Sequence, residues 1–330
     1  MLIGDARNPE ATGFLLSLTF VALASVRDVY VGGLVQRVSP LVVAITAFSL
    51  CTLVFLAVAL GRDRAGLATL ARHWRRLGCV NATTALAWLS FFFALRTAEP
   101  ALVNILFFGV GPLSVTWIDR RVAGTAPVVL GPLELRLRRG LLLALGFAAV
   151  VVLAGFSGVG PQPLGQAAAG VALALGGAAS IAVSTLLCRT LNDAGVGPTT
   201  LLSLRFPGAV VLAWVLVPLA GDDVLGGLTP GLLAGVALAS LALIVLPNYV
   251  NQIGVALASP VTVRTVLALG PVLVFTLQVV EGRVSSSPAT LTACVLYAVV
   301  AVAAAAARRH AIAGITAGPG ARPASSRCPC

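Results

Sequence analysis

Ser39-Pro40-Leu41-Val42-Val43-Ala44-Ile45-Thr46-Ala47-Phe48-Ser49-Leu50-Cys51-Thr52-Leu53-Val54-Phe55-Leu56-Ala57-Val58-Ala59-Leu60 runs without a charge between Arg37 and Arg62. A helix needs about 20 such residues to cross the hydrocarbon of a bilayer. Working outward from this stretch, the same reading applies at ten places, near residues 12–33, 40–60, 77–95, 100–118, 140–157, 166–187, 199–219, 231–254, 260–280 and 289–307. What remains between them is too short to hold a soluble domain. The expected fold is an all-α integral membrane protein with ten transmembrane helices.

Composition points the same way. Of the 330 residues 58% are hydrophobic and 10% charged, with a mean hydropathy of +1.01. A soluble fold of this size must turn much of its surface to water and cannot hide so much apolar side chain. A soluble enzyme, a nucleic-acid binder and a disordered chain are excluded.

The net charge of +11 comes from 22 basic residues, all of them arginine. Their distribution gives an orientation, because cytoplasmic loops are enriched in basic residues. Arg62, Arg64, Arg72, Arg75 and Arg76 follow the second segment. Arg120, Arg121, Arg136, Arg138 and Arg139 follow the fourth, and Arg308, Arg309, Arg322 and Arg327 follow the tenth. With ten spans and a cytoplasmic start at Arg7, all of these and Arg189 fall inside, while Arg37, Arg96 and Arg283 fall outside. The expected location is the plasma (inner) membrane, multi-pass, with both termini cytoplasmic.

A weak repeat runs through the chain at an offset of about 160 residues. Ala98-Glu99-Pro100 returns as Ala258-Ser259-Pro260, and Gly111-Pro112-Leu113-Ser114-Val115 as Gly270-Pro271-Val272-Leu273-Val274. Pro40 with Phe48 returns as Pro198 with Phe206. Five helices per copy is an odd number, so the second copy must be inverted, an arrangement found in secondary transporters whose substrate binds where the halves meet. The expected divisions are a tail over 1–11, repeats over 12–157 and 158–307, and a disordered tail over 308–330.

With these anchors in view, the sequence resembles the drug/metabolite transporter superfamily, in its EamA-like ten-helix branch. The resemblance rests on Ser39-Pro40, on Pro198 with Arg205-Phe206, on the proline-bearing fourth and ninth segments followed by Asp119 and Glu281, and on Gly140 and Gly146. It covers residues 12–307 and implies a superfamily, not a substrate. Ala47 stands where the family often has arginine, the tenth segment lacks the expected glycine, and the basic pair of sugar-phosphate carriers is missing near Leu269-Gly270. The function this implies is secondary transport by alternating access, exporting a small metabolite such as an amino acid or related carboxylate. A lipid or polyprenyl-linked sugar flippase and a non-transporting scaffold or sensor subunit are the alternatives. A homodimer is compatible with all three.

Charge inside a bilayer costs about 2.5–3.5 kcal/mol on insertion scales, so each intramembrane ionisable group is a candidate. Arg205 is read either as a bidentate clamp for an anionic substrate or as a structural tie to helix ends or Asp193. Arg264 stands near enough the start of the ninth segment to reach the interface. Asp28, beside Arg27, is the candidate proton-coupling carboxylate. Asn248, Asn251 and Gln252 share one helix face by their i, i+3, i+4 spacing, next to Pro247, which can open the backbone. They are read as cavity lining or as interhelical glue. Asn81, Thr84 and Trp88 form a comparable face in the third segment, and Asn104 takes the repeat position of Arg264.

No enzyme constellation is present: neither H-E-x-x-H nor G-x-S-x-G nor a P-loop occurs. The six cysteines show no metal-ligand spacing and only two histidines exist, so no metal or cofactor is expected. Leu133-Glu134-Leu135-Arg136-Leu137-Arg138 reads as a strip lying on anionic headgroups. Gly176-Gly177 reads as a close-packing site between helices.

Overall fold

The computed structural model describes residues 9–122, 131–221, 224, 229–258, 260–282 and 284–316. Their regular structure is helical throughout: α1 (Pro9–Arg37), α2 (Pro40–Arg62), α3 (Arg64–Arg72), α4 (Trp74–Thr97), α5 (Pro100–Val122), α6 (Pro132–Leu153), α7 (Leu164–Asp193), α8 (Pro198–Arg205), α9 (Pro207–Leu216), α10 (Pro230–Ser240), a π turn (Leu241–Val245), α11 (Leu246–Leu257), α12 (Pro260–Leu267), α13 (Gly270–Glu281) and α14 (Pro288–Thr316). Nine of these helices begin on a proline. The ring fixes φ at a helical value, and its missing N–H is one that has no partner in the first turn anyway. Proline therefore sets where the apolar runs start.

Among the described residues seven helices are long and apolar enough to cross a membrane: Glu10–Arg37, Pro40–Arg62, Trp74–Thr97, Leu164–Asp193, Pro198–Leu216, Pro230–Gly254 and Pro288–Ala307. The protein has the architecture of an all-helical, multi-pass membrane protein. Three of the ten expected segments differ from this standard. Among the described residues the fourth and ninth hold the shorter apolar stretches Pro100–Gly111 and Thr265–Glu281. The fifth, α6, carries Arg136, Arg138 and Arg139 in its first turns.

Two helices run past the limits expected for their apolar segments. The alternating strip from Leu133 to Arg138 forms the start of α6, where the Glu134 carboxylate accepts the Gly131 N–H at 3.0 Å. At the other end of the chain α14 continues to Thr316, into the stretch read as the start of the tail. Its Ala303–Ala307 run has the highest helix propensity of any residue type, which carries the helix past the apolar limit. The remaining tail, residues 317–330, lies outside the described residues.

The core is built on α2, α4 and α5, with Phe48, Phe91, Phe92, Leu102, Ile105 and Leu106 fully buried. Against it, α4 and α7 run antiparallel at close range. A methyl group added at Gly177 would meet Ser90 Cβ and Phe107 Cε2 at 3.0 Å and the Ala87 carbonyl at 3.1 Å, and one at Gly170 would meet Thr97 Oγ1 at 2.4 Å. Backbones approach this closely only where side chains are small. Gly176, one residue away, faces open space.

The antiparallel runs define two ends of the bundle. At one, the Asp63 carboxylate caps α3 through Gly66 N–H (2.9 Å) and accepts the Thr200 hydroxyl at the start of α8. Arg62 ends α2, Arg64 and Arg72 bound α3, and Arg75 and Arg76 stand in the first turn of α4. At the other end Arg37, Arg96, Gln36 and Ser39 line a cleft of about 240 Å³.

Candidate substrate site in the helix bundle

Arg205 closes α8, where the helix breaks at Phe206 before Pro207 opens α9. Its side chain is buried between α4 and α7. Nε donates to Thr84 Oγ1 at 3.3 Å and Nη2 to Ser184 Oγ at 3.4 Å, while those two hydroxyls bond each other at 2.7 Å. The guanidinium also lies 5.7 Å from the Phe206 ring centroid. No carboxylate comes within ion-pairing distance of it among the described residues. Asp193, one of the structural partners considered from sequence, does not fill that role. A buried guanidinium held by two long hydroxyl contacts keeps most of its donor capacity and its charge.

From Arg205 an aromatic series crosses the bundle. Phe206 stacks on Phe48 with centroids 5.0 Å apart and planes within 6°. Phe48 meets Trp88 edge-on at 5.7 Å, and the Trp88 ring carries the Arg27 guanidinium over it at 5.0 Å. Trp88 Nε1 is buried without a hydrogen-bond partner among the described residues. A buried donor left unmade is uncommon and asks for an acceptor.

Beyond Trp88, Asp28 and its neighbours form a closed set. Arg27 Nε donates to Asp28 Oδ1 at 2.7 Å, and Asn104 Nδ2 donates to Asp28 Oδ2 at 2.9 Å and to the Pro100 carbonyl at 3.3 Å. Arg27 and Asp28 are 2% and 1% exposed, so this is an ion pair out of reach of water. Asp28 is thus charge-compensated by its own neighbour in the chain.

Asn81 and Asn248 are committed to backbone. Asn81 Nδ2 donates to the Leu204 carbonyl (2.7 Å) and the Leu77 carbonyl (3.1 Å), and its Oδ1 accepts the Gly208 N–H (2.7 Å). Pro247 has no N–H to give, and the turn before it widens to π geometry, with Leu246 N–H reaching the Leu241 carbonyl. Asn248 Nδ2 supplies a donor there, to the Ile244 carbonyl at 2.8 Å. Gln252 and Asn251, on the same helix, make no hydrogen bond among the described residues, and α11 packs against both α1 and α8. Arg264 belongs to α12, but its side chain lies outside the described residues.

The structure therefore joins Arg205 and Trp88 through the aromatic series, and Asp28 and Asn104 through direct bonds. It separates Asn81 and Asn248 into backbone repair. Sequence reasoning missed Thr84 and Ser184 as a hydroxyl pair, since they are 100 residues apart. It also missed the carboxyl of Glu99, read only as a repeat marker. Glu99 is fully buried between α4 and α5, and it accepts Gly158 N–H at 2.7 Å, Thr290 Oγ1–H at 2.8 Å and the Gln278 amide. Burial pushes its pKa above the ordinary carboxylate value, against the opposing pull of its bonds from Gly158, Thr290 and Gln278. The available signal was a lone carboxylate directly ahead of Pro100.

No protein-family model and no curated protein matches the chain. Among solved structures twelve chains match. One of these, a "Crystal structure of protein", aligns with a TM-score of 0.63 at 20% identity, over 92% of this chain and 99% of its own. At that identity the likeness carries the fold alone: nearly the whole helical arrangement is shared with a chain of comparable extent.

Proposed function

We propose that the protein is a secondary transporter of the EamA-like drug/metabolite type, exporting a small carboxylate-bearing metabolite such as an amino acid. In this reading ten spans form two inverted five-helix repeats in the plasma membrane, with both termini cytoplasmic. The observation that carries it is the buried Arg205 guanidinium with no carboxylate partner among the described residues. An uncompensated buried cation is costly unless something anionic visits it. Arg205 would hold the carboxylate of the substrate through its free N–H groups. Trp88, with its unmade N–H, would pack the body of the molecule and donate one bond.

The breaks in the helices support movement around that site. The Phe206-Pro207 interruption, the π turn before Pro247 and the break at Ala268-Leu269 lie inside segments that would otherwise be straight. Irregular backbone within a membrane is tolerated where it is repaired by protein or lines a cavity. These are the points at which one half would flex against the other.

Comparison of metabolites in the medium of cells expressing wild type or Arg205→Ala tests the reading, with both proteins quantified in the membrane. A carboxylate-bearing compound enriched by wild type and absent with the variant is the expected result. Equal media at equal membrane levels would remove the export reading.

A further inference from the structure

At the end of the bundle away from the arginine-rich corner, one side chain joins four separate elements. Glu99 stands in the connection between α4 and α5. Through Gly158 it reaches the connection before α7, through Gln278 it reaches α13, and through Thr290 it reaches α14. The seam is closed further by Ser285, whose N–H and hydroxyl both donate to the Gly158 carbonyl at 3.3 and 2.9 Å, and by Ser287, whose hydroxyl donates to the Phe156 carbonyl. Gln278 also accepts the Ala101 N–H at 3.3 Å. Residues from the two halves of the chain thus meet around one carboxyl.

No cation balances it among the described residues. The groups facing Glu99 are the Gly158 amide, the Gln278 amide on α13, the Thr290 hydroxyl on α14 and, one turn further on α14, the buried Cys294 thiol. Arg96 on α4 is exposed in the cleft with Arg37, and Arg283 lies outside the described residues. A carboxyl sealed in this way is poorly solvated when ionised.

We propose that Glu99 is a proton-binding site built into this seam, and that its proton holds that end of the bundle closed. Opening the seam would return Glu99 to water and to an ordinary carboxylate pKa. Because burial raises the pKa in the closed form, the closed form binds the proton more tightly than the open one. Closure is therefore favoured at low pH and lost as pH rises through the raised value. The device is independent of what Arg205 binds, so it can fail while the transport reading stands.

Ser157 lies buried in the seam next to Gly158 and provides the probe. Ser157→Cys is placed in the full-length chain with Cys79, Cys328 and Cys330 changed to serine; the remaining thiols Cys51, Cys188 and Cys294 are buried. A membrane-impermeant maleimide is applied across the pH range, with and without Glu99→Gln, which keeps the shape of the protonated carboxyl. The ratio of the two labelling rates cancels the intrinsic titration of the thiol. It is expected to be near unity at acid pH and to rise with pH, by about tenfold for each unit separating the closed and open pKa values. A ratio that stays flat, or that rises towards acid, overturns the proposal. If Glu99→Gln does not fold, hydrogen exchange over residues 154–163 of the unaltered chain, corrected for intrinsic rates, decides instead. Protection lost as pH rises supports the site, and protection independent of pH overturns it.

Discussion

The Asn81 carboxamide stands between Leu204 and Gly208, donating to the carbonyl of one and accepting the N–H of the other, each at 2.7 Å. In an unbroken helix these two groups would bond each other, four residues apart. Pro207 forces them apart, and a side chain from α4 takes the place of the lost bond. The position is further fitted by Gly208, where a methyl group would come within 2.9 Å of Asn81 Cβ.

Asn81→Ala leaves both part-buried backbone groups unmade, at up to about 1–3 kcal/mol each. A clear fall in the thermal midpoint in detergent is expected. Asn81→Asp should fall between, since a carboxylate can still accept from Gly208 but cannot donate to Leu204. If instead Asn81→Ala keeps the wild-type midpoint and loses only transport, Asn81 contacts substrate and the splint is incidental.

The contrast between Gly177 and Gly176 gives a second prediction. Gly177→Val would drive methyl groups into Phe107, Ser90 and the Ala87 carbonyl across the α4–α7 contact, and this protein is expected to be lost from the membrane fraction. Gly176→Ala meets nothing and replaces the weakest ordinary helix former with the strongest, a gain of up to about 1 kcal/mol. Size-exclusion profiles of the two variants check both. Equal behaviour would mean that the small face of α7 is not what brings the helices together.

Much of this architecture was legible because its signals are local. Prolines mark the helix starts and uncharged runs mark the apolar helices, each signal lying within a few residues in sequence. The site was legible only in part, since burial and pairing depend on contacts that span the chain. Arg205 stands out as an intramembrane cation, but only the fold shows that Asp193 does not pair with it. Asn81 and Asn248 looked like cavity lining because their neighbours' broken helices were not visible; the amides are spent on the breaks. Glu99 looked like a repeat marker because the groups that bury it come from 59, 179 and 191 residues away.

The Asp63 clasp predicts a local effect. Asp63→Ala removes the α3 cap, worth about 0.5–2 kcal/mol, and the tie to Thr200. Limited trypsin digestion should then cut faster after Arg62 and Arg64 while the thermal midpoint moves little. Unchanged cleavage would mean that α3 is held by packing of Leu70 alone.

Arg27 and Asp28 allow coupling to be separated from structure. Asp28→Asn leaves the Arg27 guanidinium buried without its counter-ion, and breaking a buried pair costs about 3–5 kcal/mol. Replacing both, as Arg27→Met with Asp28→Leu, removes the two desolvation penalties together and should recover most of the stability lost by the single change. Trp88 would lose its cation but keep its contacts with Phe48, Phe91 and Phe92. Thermal midpoints of the single and double variants read the structural effect. On the proposed transport reading, flux under an imposed pH gradient then reads the functional one: if the stable double variant still responds to the gradient, Asp28 is an element of the fold and not the coupling carboxylate.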